Sequence, residues 1–247
     1  MKLENYELHL PSYSVGKEVY NQIGKICKPY GTKVLVIGGK KALSAAFDKI
    51  SKNAADGGLD IIGKEIYGTD CTYEAVERLA ALTSFQEADM VFAVGGGKAI
   101  DTCKCLCIEC EKPMFTFPTI ASNCAACTSV SIMYHEDGTF FKPHFFTHPA
   151  AHAFIDTQII AAAPYRYLWA GIGDTYAKNY EAEISSRGEK LPHYTEVGVG
   201  FSKMCLTPML EYGRQALEDN KKGVATEALE QVVLAIVVTT AIVSIFL

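Results

Sequence analysis

The sequence predicts an α/β protein, with a parallel sheet covered by helices on both faces followed by an all-helical part. Three observations predict it. Short apolar runs alternate with helical patterns between Lys33 and Pro118, the rhythm of βαβ units. Two of those runs pass into glycine-rich turns, at Gly38-Gly39 and at Gly95-Gly96-Gly97. After Pro164 strand alternation stops and only helical periodicity remains.

Taken in order, residues 34–37 read as a strand, 41–55 as a helix and 59–67 as a second strand. The pattern then repeats, with a helix over 73–87, a strand over 90–94, a helix over 98–109 and a strand over 114–117 ended by Pro118. Strands joined through helices run parallel and are buried on both faces. Residues 129–134 and 139–146 flank the turn Glu136-Asp137-Gly138 and read as a β-hairpin. Residues 167–186, 197–220 and 225–247 read as helices, so a division near Ala163 separates a 1–163 α/β domain from a 164–247 helical domain. The chain stops inside an apolar helical run with no cap, glycine or charged last turn, and the helical domain is therefore expected to be incomplete, truncated at its C-terminus. Residues 232–247 fall short of the roughly 20 needed to span a bilayer and include Thr239, Thr240 and Ser244, so a buried helix is expected and no membrane partner.

The 247 residues, 49% hydrophobic and 21% charged, suffice for a sizeable core. A net charge of −5 without a basic stripe disfavours nucleic acid as a partner and favours small-molecule chemistry. The first ten residues, with Glu4 and Glu7, lack a secretory pattern, so a cytoplasmic location and reduced thiols are expected. Nine cysteines, four of them between Cys103 and Cys110, do not suit a disulfide framework.

Gly95-Gly96-Gly97-Lys98, closed by Asp101, leads from a strand into a helix, where unpaired amides face an anion and glycines let a phosphate approach. Ala99 stands where a Walker A loop needs Ser or Thr, and the spacing is not G-x-G-x-x-G, so the motif reads as phosphate-binding without naming the nucleotide. Gly38-Gly39-Lys40-Lys41 reads equally as a tight turn with two solvated lysines or as a second ligand-binding turn at the same sheet edge. Pro118-Thr119-Ile120-Ala121-Ser122 offers hydroxyls to that edge. Gly171-Ile172-Gly173-Asp174 places a carboxylate at a helix start, where a cap is the plainer reading than a metal ligand. His144, His148 and His152 have helical ligand spacing, but Pro143 and Pro149 break such a helix. Cys103, Cys107 and Cys110 read as packed thiols on one helix face, and Cys124-x-x-Cys127 lacks a thioredoxin setting.

Four ordered segments, GGGKAID, PTIAS, the hairpin with FIDTQIIAAAP, and AGIGDTYAK, resemble the iron- and zinc-containing alcohol dehydrogenase superfamily, in its glycerol dehydrogenase branch. The resemblance implies a Rossmann-like dinucleotide-binding domain and a helical metal and substrate domain in a homo-oligomer. It implies that Gly95, Gly96, Gly97 and Lys98, with Asp101, hold the pyrophosphate of NAD or NADP, and that Thr119, Ser122, Thr128, Val130 and Tyr134 line the nicotinamide end. It implies that Asp174 is the first ligand of a catalytic divalent metal, zinc or iron. The family's histidine ligands have no counterpart among His9, His135, His144, His148, His152 and His193.

Two departures bear on specificity. Cys124 stands where the family places a substrate-binding Asp, and a thiol accepts hydrogen bonds poorly, which favours an alcohol, aldehyde or ketone less polar than glycerol. Gly39, followed by Lys40 and Lys41, replaces the acidic residue that holds the adenosine ribose in NAD-preferring members, which implies tolerance of NADP. The expected function is a metal-dependent hydride transfer between NAD(P) and an alcohol or carbonyl compound. The alternatives are a glycerol-phosphate dehydrogenase or dehydroquinate-synthase-like enzyme of the same superfamily, or a non-catalytic dinucleotide-binding protein.

Overall fold

A computed structural model describes residues 6–108 and 110–247; Glu4 and Glu109, used in the sequence reading, lie outside them. The chain forms β1 (Tyr13–Val15), α1 (Ile23–Cys27), β2 (Lys33–Gly38), α2 (Lys40–Asp56), β3 (Asp60–Ile66), α3 (Tyr73–Ala80), α4 (Thr83–Glu87), β4 (Met90–Gly95), α5 (Gly97–Cys107) and β5 (Met114–Pro118). The hairpin strands β6 (Val130–Tyr134) and β7 (Phe140–Phe145) follow, then β8 (His152–Ile155) and α6 (Thr157–Ala161). Beyond them are α7 (Tyr165–Ser185), α8 (His193–Lys222), α9 (Glu227–Leu234) and α10 (Thr240–Phe246).

Six strands pair in parallel in the order β1-β8-β5-β4-β2-β3, and β6 pairs antiparallel with β7, as the sequence predicts. Alternation along β2 divides the core. Val34 and Val36 point to a layer with Leu43 and Ile50 of α2, whereas Leu35 and Ile37 point to one with Ile100 and Leu106 of α5. From β2 the chain moves outward to β3 on one side, and from β4 to β5 and β8 on the other. The order therefore reverses between β2 and β4, and such a switch point opens a crevice beyond the strands' carboxyl ends.

The layer under α5 continues without interruption into the helical part, through Leu168 of α7, Met209 of α8 and Val232 of α9 to Ile236. The segment Glu227–Phe246 is apolar and long enough to cross a membrane, but Val232, Val233, Ile236 and Val237 are fully buried in this layer. A wide turn over Ala235–Thr239 separates α9 from α10, where the Thr240 hydroxyl donates to the Ala235 carbonyl at 3.0 Å.

Several expectations change. The predicted helix over 73–87 breaks at Leu82, whose extended backbone (ψ 133°) lets Leu79 and Phe85, six residues apart and on different faces of a continuous helix, both enter the core. Two short strands, β1 at one edge and β8 between it and β5, escape the periodicity reading because three and four residues carry too little pattern. Asp174 does not start a helix. It lies inside α7, and Gly171, three residues before it, is there for close approach, since a Cβ on Gly171 would sit 2.3 Å from the Ala121 carbonyl oxygen. His144 and His152 lie on strands β7 and β8 and share no helical face.

Candidate cofactor crevice

Two turns meet at the switch point. β2 ends on Gly38 and α2 begins beyond Gly39; β4 ends on Gly95 and α5 begins beyond Gly96. The Gly39 amide donates to the Val94 carbonyl at 3.3 Å, so each turn holds the other in place. Gly95 adopts φ +156°, and a Cβ there would stand 2.8 Å from that of Ala99; on Gly96 it would stand 2.6 Å from Ile120 Cδ1. The glycines thus bring strand, helix and loop together and leave the mouth of the turn as bare backbone.

Neither helix is capped by a side chain, and neither carries an acidic residue in its first turn. Lysines occupy those positions instead: Lys40 and Lys41 on α2 and Lys98 on α5. A cation beside the positive end of a helix dipole is unfavourable unless an anion faces both. Two such ends open on one crevice of about 1000 Å³. Its walls include Gly39, Gly95, Gly96, Gly97, Lys98, Asp101, Thr119, Ser122 and Tyr134 among the residues singled out in the sequence.

Lys98 contacts the Asp70 carboxylate, which raises its pKa, and lies 5.4 Å from the centre of the Tyr134 ring. Asp101 faces the crevice but also turns inward. Its carboxylate accepts from the Ile132 amide at 3.2 Å and pairs with Lys104 at 2.9 Å. Lys104, fully buried, also donates to the Thr128 hydroxyl at 3.2 Å and to the Val130 carbonyl. Thr128 and Val130 therefore stand behind the crevice wall, tied to α5, and line a separate hollow of about 290 Å³. Sequence reasoning passed over Lys104; its one signal is the i,i+3 spacing from Asp101. It also missed Asn123, Gln158, Arg166 and Tyr167, which close the crevice from the loop after β5 and from the starts of α6 and α7.

Cys124 and Asp174 lie beside the crevice, outside its wall. Loss of hydration pushes the half-buried Cys124 thiol up to about 11, so it is neutral at ordinary pH. Asp174 has an exposed face, yet the surrounding protein raises its carboxyl above the usual range, with Lys178 opposing and Glu181 adding to the shift. Lys178 is itself bonded to Glu181 at 2.7 Å. Among the described residues no group of three or more His, Cys, Asp or Glu side chains is arranged to hold a metal ion. Asp174 offers a single carboxylate.

A parallel sheet whose two glycine turns meet at its switch point places a crevice where α/β proteins of the doubly wound class bind their ligands. Residues 11–156 match the family model of the iron-containing alcohol dehydrogenases. Over 227 residues the chain is 32% identical to a glycerol dehydrogenase of Escherichia coli O6:H1, covering 90% of this chain and 62% of that protein. Over 179 residues it is 36% identical to one of Thermotoga maritima, covering 70% and 49% respectively. The crystal structure of a Schizosaccharomyces pombe glycerol dehydrogenase superposes with a TM-score of 0.84 at 25% identity, over 97% of this chain and 62% of that one. The chain thus belongs to the iron-containing alcohol dehydrogenase family, in its glycerol dehydrogenase-like branch, and spans about three fifths of the E. coli relative's length.

Proposed function

We propose that this chain supplies the nicotinamide-dinucleotide site of an oxidoreductase acting on an alcohol or its carbonyl counterpart. The observation that carries the reading is the pair of uncapped, lysine-bearing helix starts aimed into one crevice, an arrangement that suits a pyrophosphate. In this reading Gly95, Gly96, Gly97 and Lys98 hold the phosphates, and Thr119, Ser122 and Tyr134 orient the nicotinamide end, with Thr128 and Val130 supporting it from behind. The cofactor itself accepts or donates the hydride. The protein's part is to fix its position and to exclude water. The 1–163 segment is proposed as the dinucleotide domain and 164–247 as part of the metal and substrate domain. Asp174 is proposed as one metal ligand, and the described residues offer no completed ligand set around it. We also propose a cytoplasmic homo-oligomer without nucleic-acid or membrane partners, whose assembly sedimentation would read.

The cofactor in this reading is NADP or either dinucleotide, because Lys40 and Lys41 stand beyond Gly39 with no carboxylate in the first turn to repel a 2′-phosphate. The neutral Cys124 favours a less polar alcohol than glycerol. Fluorescence titration with NADH and NADPH tests the site, and steady-state assay with glycerol, monohydric alcohols and their carbonyl counterparts tests the reaction. Binding of neither dinucleotide overturns the reading, and a catalytic efficiency more than tenfold higher with NAD overturns the cofactor preference. A second reading is a dinucleotide-binding protein without catalysis, in keeping with Asp174 standing outside any three-ligand group among the described residues. Tight dinucleotide binding with no bound divalent metal and no turnover would select it.

A further inference from the structure

Directly behind the crevice wall three sulfur atoms converge from three separate elements. The Cys71 thiol, in the loop after β3, lies 3.4 Å from the thioether sulfur of Met133 on β6. The Cys105 thiol, on α5, lies 3.3 Å from the same sulfur. All three side chains are buried, and they form a core cluster of their own, walled by Tyr73, Val76, Tyr134 and Phe146. The proposed function uses none of them.

We propose that Cys71, Cys105 and Met133 form a three-sulfur site for a soft monovalent cation of the copper(I) class. Thiolate and thioether donors select such ions over the hard and borderline divalent metals that oxygen and imidazole serve. Two thiols and one thioether on a single centre, shielded by an apolar wall, constitute a closed soft donor set. No third carboxylate, imidazole or thiol is needed, so the site is compatible with the absence of a three-ligand His, Cys, Asp or Glu cluster among the described residues. The buried cation of Lys104, adjacent to Cys105, offsets part of the added negative charge. On binding, each thiol that becomes a thiolate ligand releases one proton to solvent, so affinity rises with pH.

The site would also join parts of the crevice. Cys71 follows Asp70, the partner of Lys98, and its carbonyl accepts from the Tyr134 amide at 2.9 Å. Cation binding should therefore stiffen the lysine and the tyrosine together.

The test is an anaerobic titration of the 247-residue protein with copper(I) against a chromophoric copper(I) chelator, followed by copper K-edge absorption. One equivalent is expected to bind at least tenfold more tightly than any other, with sulfur-only scattering from three atoms. Cys71→Ser and Cys105→Ser should each weaken that equivalent tenfold or more, and Met133→Leu, which keeps the packing volume, should weaken it less. Cys110→Ser, at an exposed thiol, should leave it unchanged. Loss of the tight equivalent in Cys110→Ser, its persistence in a folded Cys71→Ser or Cys105→Ser variant, or a wild-type spectrum with oxygen or nitrogen ligands would overturn the proposal. Should both serine variants fail to fold, Met133→Leu and the wild-type spectrum still decide it, because unchanged affinity or fewer than three sulfurs refutes the site.

Discussion

Lys104 and Asp101 meet at 2.9 Å, the lysine side chain fully out of solvent and that of the aspartate 9% exposed. This pair joins α5, which follows the glycine turn, to the base of the hairpin, because Lys104 also holds Thr128 and Val130 while Asp101 takes the Ile132 amide. Truncation of one partner leaves the other charge buried and alone, which typically costs about 3–5 kcal/mol. Lys104→Ala should lower stability by about that much in urea denaturation. Lys104→Met combined with Asp101→Asn should recover a large part of it.

The glycines at the switch point do two different jobs, and alanine should separate them. A Cβ on Gly38 would lie 2.4 Å from the carbonyl oxygen of Val94 on the neighbouring central strand, which cannot move aside. Gly38→Ala should destabilise the fold by roughly 1–3 kcal/mol or more. On Gly96 the nearest atom is the flexible end of Ile120, which can turn away, though into the crevice. Gly96→Ala should keep most of its stability and lose about tenfold, or 1.4 kcal/mol, in NAD(P)H affinity by fluorescence titration.

The lysines at the start of α2 bear on the choice between dinucleotides. Both are exposed, and the first turn has no carboxylate. Lys40→Glu with Lys41→Glu should weaken NADP binding about tenfold more than NAD binding, a difference of about 1.4 kcal/mol. High salt should shrink it. Equal losses for the two dinucleotides would place the 2′-phosphate elsewhere.

His152 predicts a pH dependence. It is buried between the Ser12 hydroxyl at 2.7 Å and the Ser14 hydroxyl at 2.9 Å, and burial lowers its pKa below the ordinary 6.5. The unfolded chain therefore takes up a proton before the folded one does. The stability gained from the neutral ring is fully present above pH 6.5 and is lost as the pH falls from there through the lowered folded value. Urea midpoints at pH 7.5 and pH 5 should differ more in the wild type than in His152→Asn.

Most of the candidate site was legible in the sequence where the backbone itself makes it. Three consecutive glycines between an apolar strand and a helix leave few conformations other than a bare-backbone turn. The residues that close the crevice from elsewhere, Asn123, Gln158 and Arg166, carry no local signal of that role, because each reaches it only through packing between elements distant in the chain. The Gly171-x-Gly173 pair suggested a helix start, and the signal was real but its cause was different. The loop at Ala121 presses on α7 at Gly171 and admits no side chain there, whereas a side chain at Gly173 would meet nothing.

Alternation, glycine turns and the loss of strands after Pro164 were enough to determine the central strands of the parallel sheet, the hairpin, the helical continuation and the bare-backbone glycine turn, since period and backbone freedom are local properties of a chain. Tertiary structure alone decided that two lysine-bearing helix starts share one crevice. It also decided that Lys104 fastens the hairpin from behind and that three sulfurs from β6, α5 and a loop meet in one place. Those relationships depend on strand order and on which faces pack together, and such long-range choices are made by the burial of the whole core, not by any one segment.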